Sequence, residues 1–189
     1  MNQLLKKISK PFLFIIFFVL PVSAFCQKLN KPVIDKFSND TTLSTTQEKV
    51  GSTEKFSSTT ATFFKASFYK IKGLYFLSVE LDASSDNKYF IAQKDDKILL
   101  KLANNSIVTL SNLNESDATH QTIKSGFVQR DYWVAIINYH LSKDDIAALS
   151  SSALTTVRVQ TDQQNFDFDI ESKGNDAFTK MLALITSGK

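Results

Sequence analysis

From Phe127 to Leu141 the chain reads FVQRDYWVAIINYHL, and between Tyr132 and Ile137 every residue is apolar. Side chains on a strand alternate between two faces, so Tyr132, Val134 and Ile136 point one way and Trp133, Ala135 and Ile137 the other. A run apolar on both faces suits a strand covered on both sides, and its β-branched and aromatic content favours strand over helix. The stretch is therefore expected to be a central strand, and the rest of the chain must supply the layers that cover it.

Two hairpins can be read with their register. Between Thr62 and Asp82, Lys72-Gly73 has the form of a two-residue turn in which glycine supplies a positive φ. That turn sets Lys70 opposite Tyr75, Phe68 opposite Leu77, Ala66 opposite Val79 and Phe64 opposite Leu81, which makes one face almost wholly apolar. On the other face Lys65 meets Glu80 and Ser67 meets Ser78, so charge and hydrophobicity select the same register. Between Leu154 and Ile170, a loop at Thr161 to Gln164 pairs Val157 with Phe168, Val159 with Phe166 and Arg158 with Asp167.

Strands are also expected at Lys88 to Gln93, at Lys97 to Leu102 and at Ile107 to Leu110, the last two joined through Asn104-Asn105, since Asn tolerates the left-handed conformation. Residues 111 to 126 read as a long polar loop. Ser142, with Asp145 three residues on, caps a short helix in which Ile146 and Leu149 face the core, and Leu141 and Ile146 are placed as a hydrophobic staple. Asn175 is expected to cap a final helix whose apolar stripe is Phe178, Met181, Leu182 and Ile185.

The N-terminus has a different character. Lys6, Lys7 and Lys10 precede the apolar run Phe12 to Leu20, Pro21 breaks it, and small residues follow at Ser23 and Ala24. This is the layout of a secretory signal peptide, and the run is short for a membrane span. Cleavage after Cys26 gives a leader of residues 1–26 and a chain beginning at Gln27. The alternative is a bacterial lipoprotein with Cys26 as the lipid-bearing first residue, although Phe25 is a poor residue to precede it. Export to the periplasm or the medium is the expectation in either case.

The formal charge of +3 depends on the same segment. Without its three lysines the chain holds 19 basic and 19 acidic residues. A neutral chain offers no electrostatic basis for binding nucleic acid, and no stable membrane span is expected beyond the leader. Cys26 is the single cysteine, so its removal leaves no disulfide, thiolate nucleophile or cysteine metal site. Residues 27–60 form a polar, Ser/Thr-rich segment with short strands near Ile34–Phe37 and Thr41–Thr45, and residues 61–189 carry the α+β domain.

Chemistry-bearing residues are sparse. His120 and His140 are 20 residues apart, which is no metal-ligand spacing. His140 near Asp144 and Asp145 could be a general base with its orienting acid, but helix capping explains both acids. Asp167 and Asp169 share one strand face, where Arg158 can neutralise them. Asp86 and Asp95-Asp96 lack the spacing of a calcium loop. No phosphate loop, nucleophile elbow or dinucleotide fingerprint is present. No catalytic residue, cofactor or metal is expected.

The aromatics Tyr69, Tyr75, Phe76, Tyr89, Tyr132, Trp133 and Tyr139 could form a ligand platform, though aromatic residues in strands usually fill cores. Tyr69, Leu74 and Phe76 fall on the Lys65–Glu80 face of the first hairpin. Either a helix covers them or they form an exposed partner patch.

The leader ending SAFCQ, the run VIDKFSNDTTLST (33–45), and the later YHLSKDDIAAL (139–149) and TTVRVQT (155–161) resemble small exported domains of Gram-negative bacteria, over residues 33 to 186. That resemblance implies export and an envelope location, and carries over no activity or site residue. The expected fold is α+β: a mainly antiparallel sheet system of about seven or eight strands with two helices packed on it, the C-terminal helix last. The expected function is a non-enzymatic exported interaction or scaffold module acting on an unknown protein or small ligand. The alternatives are a carrier of small apolar ligands and a hydrolase using His140 with a nearby acid.

Overall fold

The computed structural model describes residues 28–53, 61–125 and 128–187. The expected leader and Cys26 lie outside the described residues. In chain order the elements are β1 (Val33–Ile34), β2 (Thr41–Ser44), β3 (Glu48–Ser52), β4 (Phe63–Ile71), β5 (Leu74–Ser84), β6 (Ile91–Ala92), β7 (Lys97–Leu102) and β8 (Ile107–Ser111). They continue with β9 (Ser116–Asp117), β10 (Thr119–Ser125), β11 (Val128–Leu141), α1 (Lys143–Ser151), β12 (Leu154–Gln160), β13 (Asn165–Asp169) and α2 (Ser172–Ser187). The fold is α+β and mainly antiparallel with two helices, as the patterning predicts. The additional strands are mostly two-residue pieces and polar edges that carry no hydrophobic alternation.

The β4–β5 hairpin has the expected register throughout, from Phe64 opposite Leu81 to Lys70 opposite Tyr75. Its turn residues Lys72 and Gly73 have φ of 52° and 79°, the paired positive values that match the twist of a two-residue hairpin. The β12–β13 hairpin also keeps its expected pairs, and Arg158 grips Asp167 with two hydrogen bonds of 2.7 Å.

The large sheet runs β1-β2-β4-β5-β11-β10, with β3 also on β4. Thr45, at the break between β2 and β3, donates its N–H to Phe68 O, and its hydroxyl accepts from Phe68 N. A second sheet runs β13-β12-β7-β8, and β6 pairs with β9.

One core joins these layers. Phe64 and Phe68 from β4 meet Phe168 of β13 and Phe178 of α2, with ring centroids 5.5 and 5.0 Å apart. The α2 stripe of Phe178, Met181, Leu182 and Ile185 is buried against the sheets as expected. The sheets are also bridged by Asn112, just after β8, which pairs with Tyr139 of β11. Its buried amide donates to Ala92 O at 3.1 Å and Gln93 O at 2.9 Å.

Five expectations are corrected. The strand expected near Ile34–Phe37 is the two-residue β1 at Val33–Ile34, and Lys36 to Ser38 form a turn. The central strand is covered on both faces only in part: Tyr132 and Val134 are buried on its outer face, but Ile136 is 55% exposed. Beside β11, β10 pairs only with residues 128–134, and beyond that point β11 has bridges to Asn112 and Leu113 rather than a full strand neighbour. The expected loop at 111–126 contains β9 and the seven-residue β10, whose residues His120 to Lys124 are exposed on both faces and so show no alternation. The strand expected over Lys88 to Gln93 shrinks to Ile91–Ala92. The final helix starts at Ser172 rather than at Asn175, and Asn175 instead accepts a hydrogen bond from Leu154 N.

The first helix matches its expectation. Ser142 is the N-cap, and Ser142 and Asp145 form a reciprocal capping box.

Candidate functional site

The outward face of β4, β5 and β11 is where sequence-predicted and unpredicted features meet. The register aligns its side chains in rows: Tyr69–Phe76–His140, Ser67–Ser78–Asn138, Lys65–Glu80–Ile136 and Phe63–Asp82–Val134. Both helices send their buried side chains to the core instead, and β5 has β4 and β11 as its packing neighbours.

The first row is a line of three rings. Tyr69 and Phe76 stack at 4.7 Å with planes 11° apart, and His140 stands edge-on to Phe76 at 5.5 Å. Partial burial raises the pKa of the Tyr69 hydroxyl above its ordinary value. Leu74, opposite Ile71 in the next row of the same face, is 51% exposed, while Tyr69 and Phe76 are half-buried. The expected trio of Tyr69, Leu74 and Phe76 is thus brought together, and His140 extends it by one strand. The sequence placed His140 at the end of a strand but not in register with Phe76, because the β5–β11 pairing joins segments about 60 residues apart.

Two rows further along lies a charge cluster. The Lys65 ammonium is 2.7 Å from Glu80 Oε1 and 2.6 Å from Asp82 Oδ2, and Gln47 Nε2 donates to Glu80 Oε2 at 3.1 Å. Asp82 is 1% exposed, and its Oδ1 has no hydrogen-bond partner among the described residues. Burial pushes the Asp82 carboxyl above the usual range, the opposing pull of Lys65 notwithstanding. For Glu80, burial also pushes upward, but hydrogen bonds from Lys65 and Gln47 outweigh it and hold that carboxyl below its usual range. Lys65 loses to burial and gains more from its two acids, so its pKa is raised. The Lys65–Glu80 pair was legible in the sequence. Asp82 was not, because its polarity at the end of an alternating strand resembles the start of a turn.

The hydrolase alternative gains no support from this geometry. Asp145 is occupied by Ser142, whose N–H and hydroxyl reach its Oδ2 at 2.9 and 2.6 Å. No hydrogen bond or ion pair joins His140 to an acid among the described residues, and no group of metal-ligating side chains converges among them. Asp167 is paired with Arg158, whose hydrogen bonds hold its carboxyl below the usual range, the opposite of what a general acid needs. The carrier alternative fares no better. A cleft of about 650 Å³ lies between β3 and the first turns of α2, but Glu48, Lys49, Asp169, Glu171, Lys173 and Lys180 line it, a poor surface for an apolar ligand.

A second aromatic group lies at the other end of β11. Trp133 meets Tyr89 at 5.4 Å and His120 at 5.3 Å, with planes 79° and 73° apart. His120 is directly opposite Trp133 in the β10–β11 ladder. No helix of the described residues is long and apolar enough to cross a membrane. Comparison with protein-family models, with curated proteins and with solved structures finds no match to this chain.

Proposed function

We propose that this protein is an exported, non-enzymatic interaction module of the bacterial envelope, and that it docks a protein partner on the outward face of β4, β5 and β11. The observation that carries this reading is the Tyr69–Phe76–His140 row of rings, with exposed Leu74 in the next row and exposed Ile136 two rows away, on a face turned away from both helices. The face is a sheet surface rather than a hole, so it suits another macromolecule better than a small ligand. Its charged row is internally paired through Lys65, Glu80 and Asp82, which suits a partner with an apolar centre rather than a polyanion. Half-exposed aromatics grouped with exposed aliphatics on one face mark interaction surfaces.

Export rests on the leader pattern, and the mass of the mature chain tests it: cleavage after Cys26 leaves Gln27 as the first residue. A photo-crosslinking residue at Leu74 tests the docking face. A discrete envelope adduct is expected from Leu74, none from a control position at Ile107 on β8, and loss of the adduct in Phe76→Ser at unchanged melting temperature. The same adducts from both positions would sink the reading. So would turnover of ester or amide substrates that disappears in His140→Ala.

A further inference from the structure

The Tyr89, Trp133 and His120 rings come from three separate parts of the chain: the segment before β6, the strand β11 and the edge strand β10. Tyr89 is 43% exposed, His120 is exposed and Trp133 is half-buried. Both flanking rings stand nearly at right angles to the indole in edge contacts, so the three rings lie in different planes at one corner and keep only their uncontacted faces open. An aromatic ring concentrates negative charge on its faces, and several such faces around one point attract a weakly hydrated cation.

The surroundings reinforce that polarity. Partial desolvation, then the charge of Asp117 and a hydrogen bond from the Tyr89 hydroxyl to that carboxylate, then the charges of Asp162 and Glu115 raise the pKa of the Tyr89 hydroxyl. Asp131 lies on the same face of β11 as Trp133, where the Thr122 hydroxyl donates to its Oδ1 at 2.5 Å. Core packing accounts for the burial of neighbouring Phe90 against Phe166, but it does not account for three exposed or half-exposed rings bordered by acids.

We infer that the Tyr89–Trp133–His120 corner is a binding site for a methylated ammonium group, such as a choline head or a trimethylated lysine. The methyl groups pack on the rings, and the carboxylates Glu115, Asp117 and Asp131 supply the longer-range attraction. A plain ammonium ion holds its water too tightly to gain as much. The site is at the opposite end of β11 from His140 and does not depend on the docking reading above.

Trp133 is the single tryptophan of the chain, so tryptophan fluorescence, excited beyond the tyrosine absorption band, reports on this corner. The test is a titration of the purified protein with tetramethylammonium and with choline at constant ionic strength. A saturable change in the millimolar range is expected for both. The uncharged choline isostere 3,3-dimethylbutan-1-ol should give none. Tyr89→Ala and His120→Ala should each weaken binding roughly three- to tenfold at unchanged melting temperature, and Asp117→Asn by less. Tyr89→Phe should bind as the parent does. Equal response to the neutral alcohol, linear response without saturation, or unaltered affinity in Tyr89→Ala and His120→Ala would overturn the assignment. Choline-headgroup vesicles and a trimethyllysine peptide then separate the two sources of the group, the tighter binder naming it.

Discussion

At the scale of single residues, stability rests on a few buried polar atoms and one close approach. Asn112 is 1% exposed, and its side chain satisfies two carbonyls of the segment before β7 while its backbone bonds to Asp95 and Asp96. Asn112→Ala is expected to lower unfolding stability by about 1–3 kcal/mol in urea, since it leaves buried carbonyls unpaired. Gly174 sits in the first turn of α2, where an added Cβ would fall 1.9 Å from Val50 O on β3. Backbone cannot yield as a flexible side chain does, so Gly174→Ala should cost about 3 kcal/mol or more, read as a lowered urea midpoint. The same crowding explains why a helix continues through a residue that by itself disfavours helix. Asp82 gives a pH signature. Its folded-state pKa is raised, so the folded state binds the proton more tightly, and that contribution is present at low pH and lost as pH rises past the ordinary Asp range. Asp82→Asn should therefore gain stability relative to the parent as pH rises above the ordinary Asp range of about 4. A parallel pair of urea-stability profiles would contradict this. Arg158 and Asp167 are about half exposed, and the Arg158→Ala change should shift stability by no more than about 1 kcal/mol.

At the scale of elements, the two hairpins and β10 illustrate what patterning can and cannot reveal. The β4–β5 and β12–β13 hairpins bury one face and expose the other, and a one-residue slip would turn every core side chain outward. Their registers are therefore written in the chain. Strand β10 is an edge with both faces in water from His120 to Lys124, so it forms only because β11 offers its N-terminal half as a template. Hydrogen exchange should show β10 amides opening far more readily than those of β4 and β5, where exchange approaches the global unfolding limit. Strand β3 leaves no pattern in the sequence for a related reason. Val50 is its single large apolar residue, and it is buried by α2 and the second sheet rather than by a pattern of its own. Ser142 and Asp145 show the opposite case, since a capping box is local and could be read directly.

At the scale of the whole molecule, Asn112 and the ring contacts between β4, β13 and α2 tie two sheets into one core. Pairings such as β5 with β11 and β7 with β12 close long loops before they gain contacts. Folding is expected on the millisecond-to-second scale rather than in microseconds, with Trp133 fluorescence and far-ultraviolet dichroism changing together. The sequence by itself determined the fold class, the registers of two hairpins, the first helix with its cap, and the grouping of Tyr69, Leu74 and Phe76 on one face. These follow from alternation and capping, which act between near neighbours. Tertiary structure alone decided that His140 joins the Tyr69–Phe76 row, that Asp82 is buried beside Lys65, and that Tyr89, Trp133 and His120 share a corner. Each depends on long-range pairing or closure between sheets, where the energy comes from surfaces brought together across the fold and leaves no periodic trace in the chain.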